Sequence, residues 1–301
     1  MRVAFVGTGR MGRPMLRHLL AAGHEVRVFD LDAAALDGAV ADGGVRAASA
    51  REAADGADAA ITMLPSPTAV EAAVLGAGGL AEGLARGAVL ADMSTAPPAL
   101  SRRLADALAP AGIGVLDGPV SGGTIGAEAG TLTVMVGGEP AALERARPLF
   151  EAMGRLVVHV GGHGAGQVAK LCNNLLAGVH MAALGQAVSL ARREGVDPTV
   201  LYELVTHSTG DSRVCRTRFP APGADDLHPA NHDWAPMFTV DLMEKDLGLA
   251  ADLAGEHELV PEPLRSALAL YRRAQAEGLG DLDYSAVSLV LGVPRDPDSG
   301  G

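Results

Sequence analysis

The chain has 301 residues, with 24 Lys and Arg against 36 Asp and Glu, a formal charge of −12 and two cysteines. The length suits two domains of about 100–200 residues each, and 48% hydrophobic with 20% charged residues excludes wholesale disorder. The acid excess excludes nucleic acid as the main partner, because phosphate binding needs a basic face. Cys172 and Cys215 offer neither a disulfide scaffold nor metal-ligand spacing, so a reducing cytoplasm and no metal are expected.

In chain order, residues 3–6 form a short apolar strand, 13–22 carry helical spacing up to Gly23, and 25–29 form a second strand ended by Asp30. Residues 59–63, 88–91 and 114–116 read as further strands with Ala-rich helical segments between them, and 131–136 and 156–160 complete the sheet. Strands alternating with helices imply βαβ units and a parallel sheet. No charged segment precedes the first apolar run, so no signal peptide is expected.

After Gly166 a helical run of roughly 28 residues begins. Its stretch 167–192 is the longest apolar one, yet it holds Lys170, Asn173, Asn174, His180 and Gln186. That is too polar for a membrane span, so a buried central helix is expected and no membrane partner. Asp197 can cap the next helix and Pro198 open it. Pro220, Pro222, Pro229 and Pro236 make 219–238 a long loop. Helices resume over 239–256 and 263–277, and a shorter one follows Asp283. The expected division is a cofactor domain over 1–162, an all-helical domain over 163–294 with its linking helix at about 164–194, and a flexible tail over 295–301.

Gly7-Thr8-Gly9-Arg10-Met11-Gly12 is a G-x-G-x-x-G that follows the first strand and opens the first helix. Gly7 permits the tight turn, Gly9 lets a pyrophosphate approach the backbone, and Gly12 permits close helix–strand packing. The helix N-terminus adds amides and a positive dipole end. Asp30 stands where a carboxylate binds both ribose hydroxyls and repels a 2′-phosphate; Leu31 and Asp32 supply no cation there, so NAD is preferred over NADP. Arg10 and Arg27 are the cations nearest in sequence that could alter this.

Lys170, Asn173, Asn174 and Gly178 fall at spacings of three and four, on roughly one helical face. Two readings stay open. Lys170 can transfer a proton while an Asn fixes the substrate, or Lys170 can snorkel while the Asn side chains bond neighbouring helices. Asp117-Gly118-Pro119-Val120-Ser121-Gly122-Gly123-Thr124 combines hydroxyls with exposed amides and suits a carboxylate, although a plain glycine-rich loop has the same composition. His163, His180, His207 and His257 have no partner motif and are expected to be structural or solvent-facing. Cys172 is expected in the core, and Arg213, Arg216 and Arg218 on a solvated face.

Together, Gly7 to Met15, Met63-Leu64-Pro65, Asp92-Met93-Ser94-Thr95, Gly118 to Gly123, Lys170-Leu171-Cys172-Asn173-Asn174 and Lys245-Asp246-Leu247-Gly248 resemble the β-hydroxyacid dehydrogenase family, over residues 3–291. The resemblance implies an α/β fold: an N-terminal Rossmann-like dinucleotide-binding domain, then an all-α C-terminal domain, linked by a long central helix. It implies Lys170 as the catalytic group and Asn174 as its substrate-orienting partner. Ser121, Gly122 and Gly123 would bind the substrate carboxylate, with Thr124 beside them. Leu64, Pro65, Thr95 and Lys245 would touch the cofactor, and so would Thr68, one residue short of a position where relatives often carry Asn. The implied reaction is NAD-dependent oxidation of a small β-hydroxy acid, 3-hydroxyisobutyrate first, with a related dehydrogenase or semialdehyde reductase acting on 3-hydroxypropionate, serine or glycerate/tartronate semialdehyde as the alternative, and a non-catalytic nucleotide-binding scaffold as the reading from another class. A homodimer or homotetramer is expected.

Overall fold

Val3 and Phe5 point to one side of the first strand and Ala4 and Val6 to the other, and all four are buried. A strand covered on both faces needs a continuous apolar run, which is the form these strands take. The computed structural model describes residues 1–259 and 262–295. They fall into two compact units, Met1–Lys170 and Leu171–Gly301.

The first unit runs β1 (Arg2–Val6), α1 (Gly12–Ala21), β2 (Glu25–Phe29), α2 (Ala33–Ala41), β3 (Val45–Arg46), α3 (Ala50–Ala54), β4 (Ala59–Thr62), α4 (Pro67–Leu75), α5 (Leu80–Gly83), β5 (Val89–Asp92), α6 (Pro98–Leu108), β6 (Gly114–Asp117), β7 (Val120–Ser121), α7 (Gly123–Glu128), β8 (Leu132–Gly138), α8 (Pro140–Met153) and β9 (Gly154–Gly161). The sheet order is β3-β2-β1-β4-β5-β6-β8-β7, with β9 on β8. Strands β3 to β6 along this path are parallel, whereas β8 meets β6 and β7 antiparallel. Chain order reverses at β1, between β2 and β4, which is where an open α/β sheet forms its ligand crevice. Met15, Leu16, Leu19, Leu149 and Phe150 cover one face, and Val70, Leu100 and Leu104 the other. This is the expected Rossmann-like half.

The helix α9 (Ala165–Arg193) begins in the first unit and continues into the second. There follow α10 (Pro198–Thr206), α11 (Arg213–Arg218), α12 (Val240–Glu256), α13 (Glu262–Ala276) and a 3₁₀ helix, Tyr284–Leu291. Asp197 accepts from the N–H of Thr199 and Pro198 opens α10, as the sequence suggests. Met181, Trp234, Met243, Leu247, Leu264, Leu268 and Tyr271 build this unit's core. The proline-rich loop is anchored through fully buried Trp234 and through Asp283, which accepts from the N–H groups of Met237 and Phe238.

Three expectations need correction. By length and composition α9 could cross a membrane, but its most apolar window is 44% buried. It is a core helix on one face only, with Leu176 and Leu190 exposed. Cys172 is exposed rather than packed inside. Arg218 is not on a solvated face: its guanidinium meets the buried carboxylate of Asp283 at 3.4 Å and lies over the Tyr284 ring. Of the expected tail, residues 296–301 lie outside the described residues.

Candidate active site

The glycine loop has a form that steric arithmetic explains. A Cβ on Gly7, at φ +96°, would lie 2.3 Å from the Met63 carbonyl oxygen, and one on Gly12 would lie 1.9 Å from the Gly7 carbonyl oxygen. Neither position tolerates a side chain without backbone movement. Around Gly9, by contrast, no atom lies within 4 Å of such a Cβ. Its space is open for a ligand rather than filled by protein. Met11, before α1, makes no side-chain cap, and the first turn holds no acid, so the helix N-terminus is chemically fit for a pyrophosphate. An open hollow of about 570 Å³ adjoins this loop, lined by Thr8, Gly9, Arg10, Arg13, Asp32 and Thr124 among others.

Asp30 accepts from the Thr8 N–H at 2.6 Å and the Thr8 hydroxyl at 3.2 Å, while its other oxygen accepts from the Asp32 N–H at 2.9 Å. These bonds fix the carboxylate beside the glycine loop and leave lone pairs for a ribose. Leu31 beside it is 93% exposed and offers no charge. Arg27 donates to the carbonyls of Glu52 and Asp55.

The ends of β4 and β5 are tied together. Asp92 Oδ1 accepts from the Thr62 hydroxyl at 2.8 Å and from the Ser94 N–H at 3.1 Å, and the Ser94 hydroxyl accepts from the Leu64 N–H at 2.9 Å. The two segments carrying Leu64 and Thr95 are thereby held as one. Thr68 is exposed in the first turn of α4, behind the Ser66 cap. Asp92 is buried with Oδ2 unpartnered; desolvation, with nearby Asp117 adding to it, pushes its carboxyl up to about 6.

Lys170 owes its place to Asp117, at the end of β6. Asp117 accepts from the N–H groups of Gly164 and Gln167 at 2.7 and 3.1 Å, satisfying amides where α9 begins. A Cβ on Gly166 would lie 2.3 Å from the Met135 carbonyl oxygen, so only glycine lets the helix start this close to the sheet. Lys170, one turn beyond, is buried. Ser121 ends β7, and Gly122 and Gly123 turn into α7 at φ +139° and +61°, values that favour glycine. The expected glycine-rich loop is thus partly a short helix that includes Thr124.

In the second unit, Asn174 donates to Asp246 Oδ2 at 2.6 Å and accepts from Asn173 at 2.9 Å. Lys245 faces Asp246 Oδ1 at 2.9 Å. Asp246 is 1% exposed and so links the amide and the ammonium across two helices. Of the polar stripe, Gly178 has a packing reason instead: a Cβ there would lie 3.0 Å from Leu247 and 3.2 Å from Met243.

Sequence reasoning assigned no role to Asp117, Asp246, Asp92 or Ser94. Each stands inside a quoted motif, which was the available signal. The bonds by which each joins one element to another span 30 to 72 residues, and no local pattern carries that.

The model for the NAD binding domain of 6-phosphogluconate dehydrogenase matches residues 2–161, and that for the NAD-binding of NADP-dependent 3-hydroxyisobutyrate dehydrogenase matches residues 164–291. The chain is 44% identical over 300 residues to an NAD-dependent L-serine dehydrogenase of Pseudomonas aeruginosa, covering 99% of both chains. It is also 44% identical over 289 residues to a 3-hydroxyisobutyrate dehydrogenase of the same organism, covering 95% of this chain and 96% of the other. The solved structure of Mycobacterium tuberculosis 3-hydroxyisobutyrate dehydrogenase with L-serine superposes with a TM-score of 0.91 at 38% identity, covering 97% of this chain and 99% of that one. The chain therefore belongs to the β-hydroxyacid dehydrogenase family: it is an NAD-binding oxidoreductase that acts on the CH–OH group of a small hydroxy acid.

Proposed function

We propose that the protein oxidises 3-hydroxyisobutyrate to methylmalonate semialdehyde with NAD, a step of valine breakdown. When bound, NAD supplies the hydride acceptor, nicotinamide C4. Ser121 and the amides of Gly122 and Gly123 hold the substrate carboxylate, with the Thr124 hydroxyl beside them. Asn174 retains one N–H beyond its bond to Asp246, and that N–H orients the substrate hydroxyl. Lys170 takes the hydroxyl proton as the carbon loses hydride, and returns it in the reverse direction. Lys245 and the segments of Leu64, Pro65, Thr68 and Thr95 contact the cofactor. The observation that carries this reading is the burial of Lys170 one turn into a helix whose start is clamped to the sheet by Asp117, which holds its side chain in one place.

Asp30 with exposed Leu31 supports NAD over NADP. L-serine is the second reading for the substrate, favoured by the Pseudomonas relative and by the ligand named with the Mycobacterium structure. The expected cytoplasmic homodimer or homotetramer remains part of this proposal; exposed Leu176, Leu190, Val200 and Leu204 of the helical unit support self-association. The test is a panel of 3-hydroxyisobutyrate, 3-hydroxypropionate, serine, glycerate and threonine, each with NAD and NADP, followed by nicotinamide absorbance. The highest kcat/KM is expected for 3-hydroxyisobutyrate with NAD. Preference for serine selects the second reading, and no turnover with any of the five overturns both.

A further inference from the structure

The first turn of α9 carries a second anchor besides Asp117. Gln167 is fully buried. Its Nε2 donates to the Ser94 carbonyl at 2.8 Å, and its Oε1 accepts from the Ala96 N–H at 3.0 Å. These two bonds bracket Thr95. The backbone N–H of Gln167 donates to Asp117, so this one residue is fixed to the sheet through its main chain and to the loop after β5 through its side chain.

The chemistry needs an amide of this length. Ser94 O requires a donor and Ala96 N–H an acceptor. Glutamate supplies only the second when ionised, and methionine fills the volume while supplying neither in useful strength. Each group, left buried and unpaired, would move to find a partner. The loop so held lies beyond the carboxyl end of β5. Asp30, at the end of β2, lies on the other side of the β1 switch point. A dinucleotide laid over that edge, adenosine half toward Asp30, places its other half toward β4 and β5.

We propose that Gln167 is a positioning residue for the nicotinamide half of the cofactor, its amide clamping Ser94 and Ala96 so that Thr95 is presented at a fixed height above β5. The same clamp ties this loop to the helical turn that bears Lys170. The proposal rests on the cofactor role given above to Thr95, and on nothing about the identity of the hydroxy acid.

The test titrates wild type and Gln167→Met with NADH, by nicotinamide fluorescence, and with ADP-ribose, by calorimetry. ADP-ribose carries the adenosine and pyrophosphate but no nicotinamide. The NADH dissociation constant is expected to rise about tenfold in the variant, with that for ADP-ribose unchanged within about twofold. Equal weakening of both ligands, or of neither, overturns the proposal, since a loosened fold would weaken both. If Gln167→Met does not fold, Gln167→Glu carries the same comparison, because it keeps the bond to Ala96. For that variant NADH affinity should also recover as pH falls, when the protonated carboxyl again donates to Ser94 O. No hydroxy acid enters these measurements, so a wild type that fails the substrate panel would sink the substrate reading and leave this one standing.

Discussion

Gly7, Gly9 and Gly12 act through the side chains they lack, whereas Asn174, Lys245 and Asp246 act through amide and charged groups held on two helices. In the first unit the cradle proposed for the cofactor is therefore a property of the backbone. In the second, the polar groups depend on one buried carboxylate of α12, which meets the ammonium beside it and an amide from α9. The contrast extends to the acids themselves: Asp92 is buried against neutral donors, while Asp246 has the ammonium of Lys245. Backbone sites fail sterically, and side-chain sites fail electrostatically.

The largest expected effect is at Lys170. Lys170→Ala should lower kcat by about 10³-fold, the range of a lost general acid–base, with NADH affinity retained by titration. Near-normal turnover would remove Lys170 from the chemistry. Within the glycine loop, Gly12→Ala forces its new Cβ against the Gly7 carbonyl and should cost roughly 3 kcal/mol or more of stability in denaturant unfolding. Gly9→Ala meets no protein atom, so it should keep stability within about 1 kcal/mol yet lose NADH binding. Two variants that unfold alike would break the claim that Gly9 faces a ligand.

The acids sharpen the same comparison. A carboxyl raised on folding from 3.8 to about 6 keeps its proton in the native state where the unfolded chain has lost it. As pH rises through that window, the wild type loses about 3 kcal/mol at this site. Asp92→Asn does not titrate. Its stability relative to wild type should thus climb by about 3 kcal/mol between roughly pH 4 and pH 7; a difference that stays flat would show Asp92 ionised throughout. Asp246→Ala should have the smaller effect, a loss of about 2 kcal/mol in kcat/KM, because half-shielded Lys245 can recruit water. Asp246→Asn should recover part of it through the bond to Asn174.

The alternation of strands and helices, the glycine loop with Asp30 and the cap at Asp197 were all legible in the chain, because each rests on neighbours within one or two turns. Strands β3 and β7 were not: at two residues each they have no periodicity to read, and both residues of β3 are exposed. The corrections have one physical source. Arg218 reads as solvated because Asp283 lies 65 residues on, and Cys172 reads as core because it stands off the polar Lys170 face, although that side of α9 is exposed. Lys170 and Asn174 were singled out from polarity on an apolar helix. The groups that hold them, Asp117 and Asp246, were visible only once the strands and helices were assembled.

Helix ends ordinarily fray, and their first amides exchange with solvent freely. The start of α9 is built against this: the N–H groups of Gly164 and Gln167 end on a buried carboxylate, and the turn itself rests on the sheet through Gly166. Deuterium should enter these amides only through the rare openings that expose the sheet core, while the other end, where Glu194 and Gly195 close the helix with backbone bonds alone, should label early. Lys170, six residues along from Gly164, therefore sits on the slow end of its own helix.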